Sequence, residues 1–262
     1  MILIGCIVQA RMGSSRLPGK VMKKIHDTIP MLEFQQTQLK FSKHIEKIII
    51  ATTTLQSDDQ IVNFCQSNNL EYFRGESDDV LDRYYHCAKK FNFPIIVRIT
   101  SDNPLIDPKI VDNAINKFIN SKCDYLSTEY VKPLTFPLGF GVEVFNFQSL
   151  EKAWKEARLP SEHEHVTPYF YNNPDKFKIQ GVTYEKSLSH IRCTVDTDYD
   201  FKLIEEIISR IGVRPISLNY ILEVLKKEPH LLEINKDVKH DGYERSLQED
   251  KEFLKQRENH EK

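Results

Sequence analysis

Four apolar runs in the first hundred residues, ILIGCIV (2–8), KIIIAT (47–52), LEYF (70–73) and PIIVRIT (94–100), alternate with segments whose apolar residues recur at helical spacing. The helical segments are MLEFQQTQLKF (31–41), DDQIVNFCQSN (58–68), DDVLDRYYHCAKK (78–90) and PKIVDNAINKFIN (108–120). A strand that is apolar along its whole length has no face for water, so helices must cover both sides of it. Repeated strand–helix units therefore predict an α/β domain with a mostly parallel central sheet flanked by helices. The second half is less regular. VEVF (142–145), FKIQGVTY (177–184) and IRCTV (191–195) are strand candidates, and residues 147–157, 200–210 and 217–227 are expected helices. Residues 1–228 read as one domain. The charged, weakly periodic residues 229–262 read as a C-terminal extension with one short helix and a frayed end.

Charge narrows the functional classes. Lys and Arg number 36 against 38 Asp and Glu, a formal net charge of −2, so bulk electrostatics do not make this a nucleic-acid binder. The apolar start, residues 2–8, is too short for a membrane span or a signal segment. The five cysteines, Cys6, Cys65, Cys87, Cys123 and Cys193, are scattered and form no CxxC. That pattern suits free thiols in a reducing compartment, and a cytoplasmic location is expected.

Any affinity for anions must then be local, and QARMGSSRLPGK (9–20) is where it concentrates. Arg11, Arg16 and Lys20 supply three cations. Gly13 and Gly19 let backbone approach a ligand, and Ser14 and Ser15 add hydroxyls. In open parallel sheets ligands bind beyond the carboxyl ends of strands, which is where this loop stands. A solvated basic turn is the plainer alternative. The loop is not a Walker A motif, because five residues separate Gly13 from Gly19 and Val21 stands where a magnesium-binding hydroxyl belongs. No GxGxxG occurs, which disfavours a dehydrogenase.

QARMGSSRLPGKV resembles the opening signature of the cytidylyltransferases that make CMP-sugars. It is closest to the SpsF-type spore-coat polysaccharide branch and more distantly similar to CMP-Kdo synthetases. RGESDDVLDRYY (74–85), VRITSDNPLIDP (97–108), EHVTPYFY (164–171) and IRCTVDTDYDF (191–201) resemble that branch in the same order, and INKDVKHDGYERSL (234–247) resembles its tail. The resemblance implies a single nucleotidyltransferase domain, Rossmann-like and related to the GT-A fold. It implies transfer of CMP from CTP to a sugar or sugar-like acceptor, with pyrophosphate release, for a surface polysaccharide or glycan. Such chemistry needs positioning and charge neutralisation more than covalent help.

The same resemblance implies site residues. Arg11, Arg16, Lys20 and Asp102 would carry catalysis. Gln9, Ala10, Arg11, Gly13, Ser14, Ser15, Arg16 and Lys20 would hold nucleotide, with Ser77, Arg83 and Asp102. Arg83 or neighbouring backbone would read the base. Asp102 and Asp196 would hold Mg²⁺, each following a strand candidate; Asp102 could equally form an Asx-turn before Pro104. Asp198 could be the N-cap of the helix that follows, and Ser77 or Asp78 that of 78–90. Glu143, Glu164 and His165 are candidate acceptor contacts, although helix-start polar residues that pack over the site would look the same. The branch usually shows Asp where this chain has Gly141, which bears on the acceptor. His163 and His165 form an HxH without a third zinc-ligand cluster. Tyr84 and Tyr85 are expected in the core and at its edge, Trp154 against the sheet, and residues 226–241 on a solvated face or in a dimer contact. CMP-Kdo-type relatives imply a homodimer.

Two other classes fit parts of this pattern. A nucleotide-sugar-dependent glycosyltransferase would use a DxD, which DTD at 196–198 imitates. Three cations in one loop suit a triphosphate better than a diphosphate. A nucleotide-binding regulator without turnover would not need both carboxylates.

Overall fold

In the computed structural model, which describes residues 2–239 and 242–260, the chain opens with strand β1 (Ile4–Gln9). A small hairpin, β2 (Lys24–Ile25) and β3 (Ile29–Pro30), leads into α1 (Met31–Leu39), β4 (Lys47–Thr53), α2 (Asp59–Ser67), β5 (Glu71–Gly75) and α3 (Val80–Lys90). Then come β6 (Ile95–Thr100), α4 (Pro108–Ser121), β7 (Tyr125–Ser127), β8 (Glu143–Asn146), α5 (Phe147–Glu156), α6 (Pro160–His165), α7 (Pro168–Tyr171) and β9 (Ile179–Gly181). Helices α8 (Asp198–Arg210), α9 (Leu218–Lys227) and α10 (Gly242–His260) complete the described chain. No described helix is long and apolar enough to cross a membrane.

Seven strands form one sheet in the order β5-β4-β1-β6-β8-β7-β9. Only β8 runs against the rest, pairing antiparallel with β6 and β7. The expected mostly parallel α/β sheet is therefore present. Its apolar strands are buried on both faces. Cys6, Val8, Ile50 and Val97 point into one core layer, while Ile7, Ile49 and Ile96 point into the other. Alternate residues of a strand face opposite ways, so a continuous apolar run serves two cores at once. All five cysteines are free and buried.

The parallel orientation puts the ends of β1, β4, β5, β6 and β7 on one edge of the sheet, and reversed β8 starts there. The loops of interest thus share that edge. Beneath it, buried Gln35 of α1 donates through Nε2 to the carbonyls of Thr100 (2.7 Å) and Asn103 (2.9 Å), which props the loop after β6.

Several expectations need correction. IRCTV (191–195) joins no ladder. Beyond an isolated parallel bridge between Arg192 and Leu138, its backbone N–H groups go to separate partners: Ile191 to Leu188 O (2.9 Å), Cys193 to Leu138 O (2.7 Å) and Val195 to Asp102 O (2.8 Å). Only Ile179–Gly181 of the expected 177–184 strand pairs. Helix α3 is capped by Asp79, not Ser77 or Asp78: Asp79 Oδ1 accepts from Asp82 N–H at 2.8 Å. Helix α8 is capped by Thr197, so Asp198 is already helical and pairs on the surface with Lys23. Tyr84 is in the core as expected. Trp154 is partly buried against the same core layer, stacks on Tyr85 with ring centroids 4.0 Å apart and donates to Asp82 (2.9 Å).

The tail is more structured than its composition suggests. Asn235, within the run expected to be solvated, is buried, and α10 is a helix of 19 residues packed against α6. His240 and Asp241 of that run, and of the tail motif, lie outside the described residues. Buried Asp250 accepts from Ser161 N–H (2.9 Å) and Ser161 Oγ–H (2.6 Å), both at the start of α6. Asp250→Ala strands both donors, so it is expected to cost about 2 kcal/mol. Urea unfolding measures that loss, and faster tryptic cleavage within α10 reports the undocked helix.

Candidate functional site

The loop after β1 is shaped before any ligand arrives. Met12 O accepts from Ser14 N–H and Gly19 N–H, both at 2.9 Å, and Gly19 adopts φ 71°, which favours glycine. Met12 N–H donates to Asp58 Oδ1 at 2.7 Å, and Asp58 Oδ2 accepts from Thr53 Oγ1–H. Asp58, just beyond β4, thus clamps the loop from the neighbouring strand. Sequence reading missed it, because an Asp at a helix start already has an adequate local explanation.

Three segments meet at Lys20. Its ammonium donates to Val195 O (2.7 Å), Asp196 Oδ1 (3.0 Å) and Asp102 Oδ2 (3.4 Å). Burial opposes the charge, but Asp102 and Asp196 outweigh it and hold Lys20 above its ordinary pKa. Asp102 Oδ1 also accepts from Thr100 Oγ1–H at 2.6 Å, so it is oriented by its own strand end. Asp196 Oδ2 takes Arg16 (3.0 Å) and Arg192 (2.7 Å). Behind it Asp200 accepts from Arg192 Nε (2.8 Å), Asp196 N–H (3.0 Å) and Asn235 Nδ2 (2.9 Å). Arg192, Asp200 and Asn235 are a support that no local pattern announces.

These groups open onto a cavity of about 300 Å³ on the carboxyl edge of the sheet. Gln9, Ala10, Arg11, Gly13, Ser14, Ser15, Arg16 and Lys20 all line it, as do Asp102 and Asp196. The nucleotide and metal candidates from the loop, the end of β6 and residues 194–196 are therefore brought together. Two carboxylates whose oxygens converge on one cation are the hard donor set that Mg²⁺ takes alongside phosphate oxygens and water.

Other candidates stand differently. Arg83 lines the cavity but is 1% exposed, and its guanidinium donates to Glu76 O (2.8 Å) and Ser77 O (3.0 Å). Burial and nearby Arg11 lower its pKa. Through Nε and Nη2 it braces the loop before α3. Ser77 lies outside the cavity wall and donates to Asp78 (2.7 Å). Glu143 is also behind the wall: it pairs with Arg98 and accepts from Tyr125 Oη–H (2.6 Å). Each Glu143 carboxylate oxygen is thus engaged by a neighbour in this structure, Oε2 by Arg98 and Oε1 by Tyr125.

Glu164 and His165 do reach the cavity, while both bond Ser246 of α10. Ser246 Oγ–H donates to Glu164 (2.6 Å), which leaves His165 Nε2–H to donate to Ser246 (2.8 Å). Burial lowers the His165 pKa. His163 of the HxH bonds elsewhere, to Asp79 Oδ2 at 2.7 Å. Arg98, Glu129, Tyr130, Tyr243 and Arg245 also line the cavity and were not singled out from sequence. An arginine inside the apolar run PIIVRIT was the one available signal.

A family model described as cytidylyltransferase matches residues 5–238. An uncharacterised protein of Methanocaldococcus jannaschii is 40% identical, covering 93% of this chain and 98% of its own. The spore coat polysaccharide biosynthesis protein SpsF of Bacillus subtilis is 31% identical, covering 85% of this chain and 94% of its own. A solved cytidylyltransferase from Leptospira borgpetersenii superposes with TM-score 0.85 at 36% identity, covering 92% of this chain and all of that one (100%).

Asp196 provides a pH test of the cluster. Burial alone would raise its pKa, yet Lys20, Arg16 and Arg192 depress it from 3.8 to about 2. The resulting stabilisation is present above the unfolded value of 3.8 and is lost as pH falls through about 2. Its size is on the order of 2 kcal/mol. Urea unfolding of wild type between pH 5 and 2 is expected to lose about that much more stability than Asp196→Asn does.

Proposed function

This chain belongs to the cytidylyltransferase family, and we propose that it transfers CMP from CTP to a sugar or sugar-like acceptor for a surface polysaccharide or glycan, releasing pyrophosphate. The observation that carries this reading is the Lys20 ammonium between Asp102 and Asp196, at the mouth of a cation-bearing loop. A triphosphate laid along this loop would meet Arg11, Arg16 and Lys20 on its β and γ side. Those cations offset the charge that develops on the departing pyrophosphate.

In this reading Asp102 and Asp196 hold Mg²⁺. When bound, the ion neutralises phosphate oxygens and lowers the barrier to their displacement. Lys20, whose ammonium lies at the same carboxylates, would be within the site to meet phosphate charge. Asp58 and Gln35 keep the two loops in register throughout, so the α-phosphorus is presented in line with the acceptor. The acceptor class rests on relatives: SpsF is a polysaccharide biosynthesis protein, and a 3-deoxy-manno-octulosonate cytidylyltransferase of Geotalea daltonii is 26% identical, covering 85% of this chain and 98% of its own.

Thermal stability with CTP, UTP, ATP or GTP and Mg²⁺ tests the nucleotide. CTP at about a hundred times its Kd is expected to add roughly 2.7 kcal/mol, and the others much less. Stabilisation by preformed nucleotide-sugars alone would point to glycosyl transfer instead. Asp102→Asn is expected to lower turnover by about 100-fold or more with the fold retained by circular dichroism. Near wild-type turnover in that variant would sink the metal assignment.

A further inference from the structure

Of the cavity carboxylates outside the chemistry so far, Glu164 accepts from Ser246, whereas Glu129 does not. The loop after β7 opens on the same edge as the loop after β6, two strands further across the sheet. At about 4.8 Å per strand, that is about 10 Å beyond the loop carrying Asp102, on the side away from Arg83 and β5. Ser127 Oγ accepts from Glu129 N–H and Tyr130 N–H, both at 2.9 Å, and so pins the turn at the cavity. The Glu129 side chain lines the cavity and accepts no hydrogen bond from the described residues.

Gly141 makes room for it. A Cβ added at residue 141 would lie 2.0 Å from Glu129 Oε2 and 3.0 Å from its carboxyl carbon. Gly141 does not have positive φ, so glycine here serves clearance and not backbone conformation. The absent side chain at 141 and the carboxylate from 129 therefore occupy one berth, facing the acceptor end.

We propose that Glu129 takes the proton from the acceptor's attacking hydroxyl, an inference that rests on the CMP-transfer reading above. The acceptor oxygen forms its bond to the α-phosphorus of CTP. The bond from that phosphorus to the bridging oxygen breaks, and its electron pair leaves with pyrophosphate. The hydroxyl proton passes to the Glu129 carboxylate and then to solvent. Burial first, then Glu143 and Asp102, push the Glu129 carboxyl up to about 7, while Arg98 acts the other way. Tyr130 adjoins it, and Glu164, His165 and Arg245 line the same cavity from α6 and α10. A base is most effective when its pKa lies near the working pH. The assignment also sorts acceptors: a hydroxyl has a proton to give, whereas a glycosyl phosphate arrives anionic and is repelled.

Wild type, Glu129→Gln and Gly141→Ala test this. Stabilisation by CTP is expected in all three; its absence in wild type would count against CMP transfer itself, not against Glu129 in particular. Carbon-13 NMR of the glutamate carboxyls in the free protein needs no acceptor. One signal is expected to titrate near pH 7 in wild type, to vanish in Glu129→Gln, and to move toward the ordinary glutamate range in Gly141→Ala. A Glu129 signal that titrates in the ordinary range in wild type overturns the proposal. Pyrophosphate release is then followed with a panel of sugar acids and of glycosyl phosphates. With hydroxyl acceptors, kcat is expected to rise through pH 7 in wild type. In Glu129→Gln it should fall about 10²–10⁴-fold and lose that rise, with KM for CTP unchanged. A wild-type rate in Glu129→Gln, or turnover confined to glycosyl phosphates, also overturns it.

Discussion

The site depends on one ammonium. Lys20 comes from the loop after β1, Asp102 from the loop after β6, and Val195 and Asp196 from a segment nearly a hundred residues later. Without a cation at their junction, two carboxylates would face each other in a half-buried cleft. With it, three stretches of chain have a common anchor, reinforced by Val195 N–H on Asp102 O at 2.8 Å. A buried ion pair of this kind adds little net stability, since desolvation offsets most of the attraction. What it secures is geometry: the two carboxylates are held side by side at the cavity, with Lys20 between them.

The topology then lays the cavity out as a line along the sheet edge. Arg83 and the loop before α3 stand at the β5 end, the cation-bearing loop at β1, the carboxylates at β6, and Glu129 with Arg98 and the buried Glu143 toward β8 and β7. Reversed β8 matters in this order. Because it starts at the carboxyl edge, it puts Gly141 beside the turn after β7. Helix α10 closes the far side through Ser246 and Asp250, and supplies Tyr243 and Arg245 to the wall. That helix lies beyond residues 5–238 matched by the family model.

Most strands and helices of the first half were legible because burial on both faces leaves a strong pattern, an unbroken apolar run between amphipathic segments. IRCTV carries the same pattern and is extended, yet makes no ladder, because its hydrogen bonds go to Leu138 and Asp102. Composition records burial but not the identity of a backbone partner. Among site residues, the loop from Gln9 to Lys20 was legible because charge and glycine are concentrated there. Glu143 and Arg83 were legible as polar residues at the right edge; their pairing with Arg98 and with the carbonyls of Glu76 and Ser77 was not, because those partners come from other segments.

The sequence by itself determined the layered α/β class, the sheet edge on which the cavity opens, and a loop in which cations and glycine are concentrated, since each follows from local periodicity and local charge. Tertiary structure alone decided which charges are neutralised and which remain available. Asp200, Asn235 and Arg192 became the support of Asp196, and Gly141 became the space that Glu129 fills. The reason is physical: hydrogen bonds and clearances between residues far apart in the chain depend on angstrom-scale placement, and nothing in the spacing of residues along the chain encodes that.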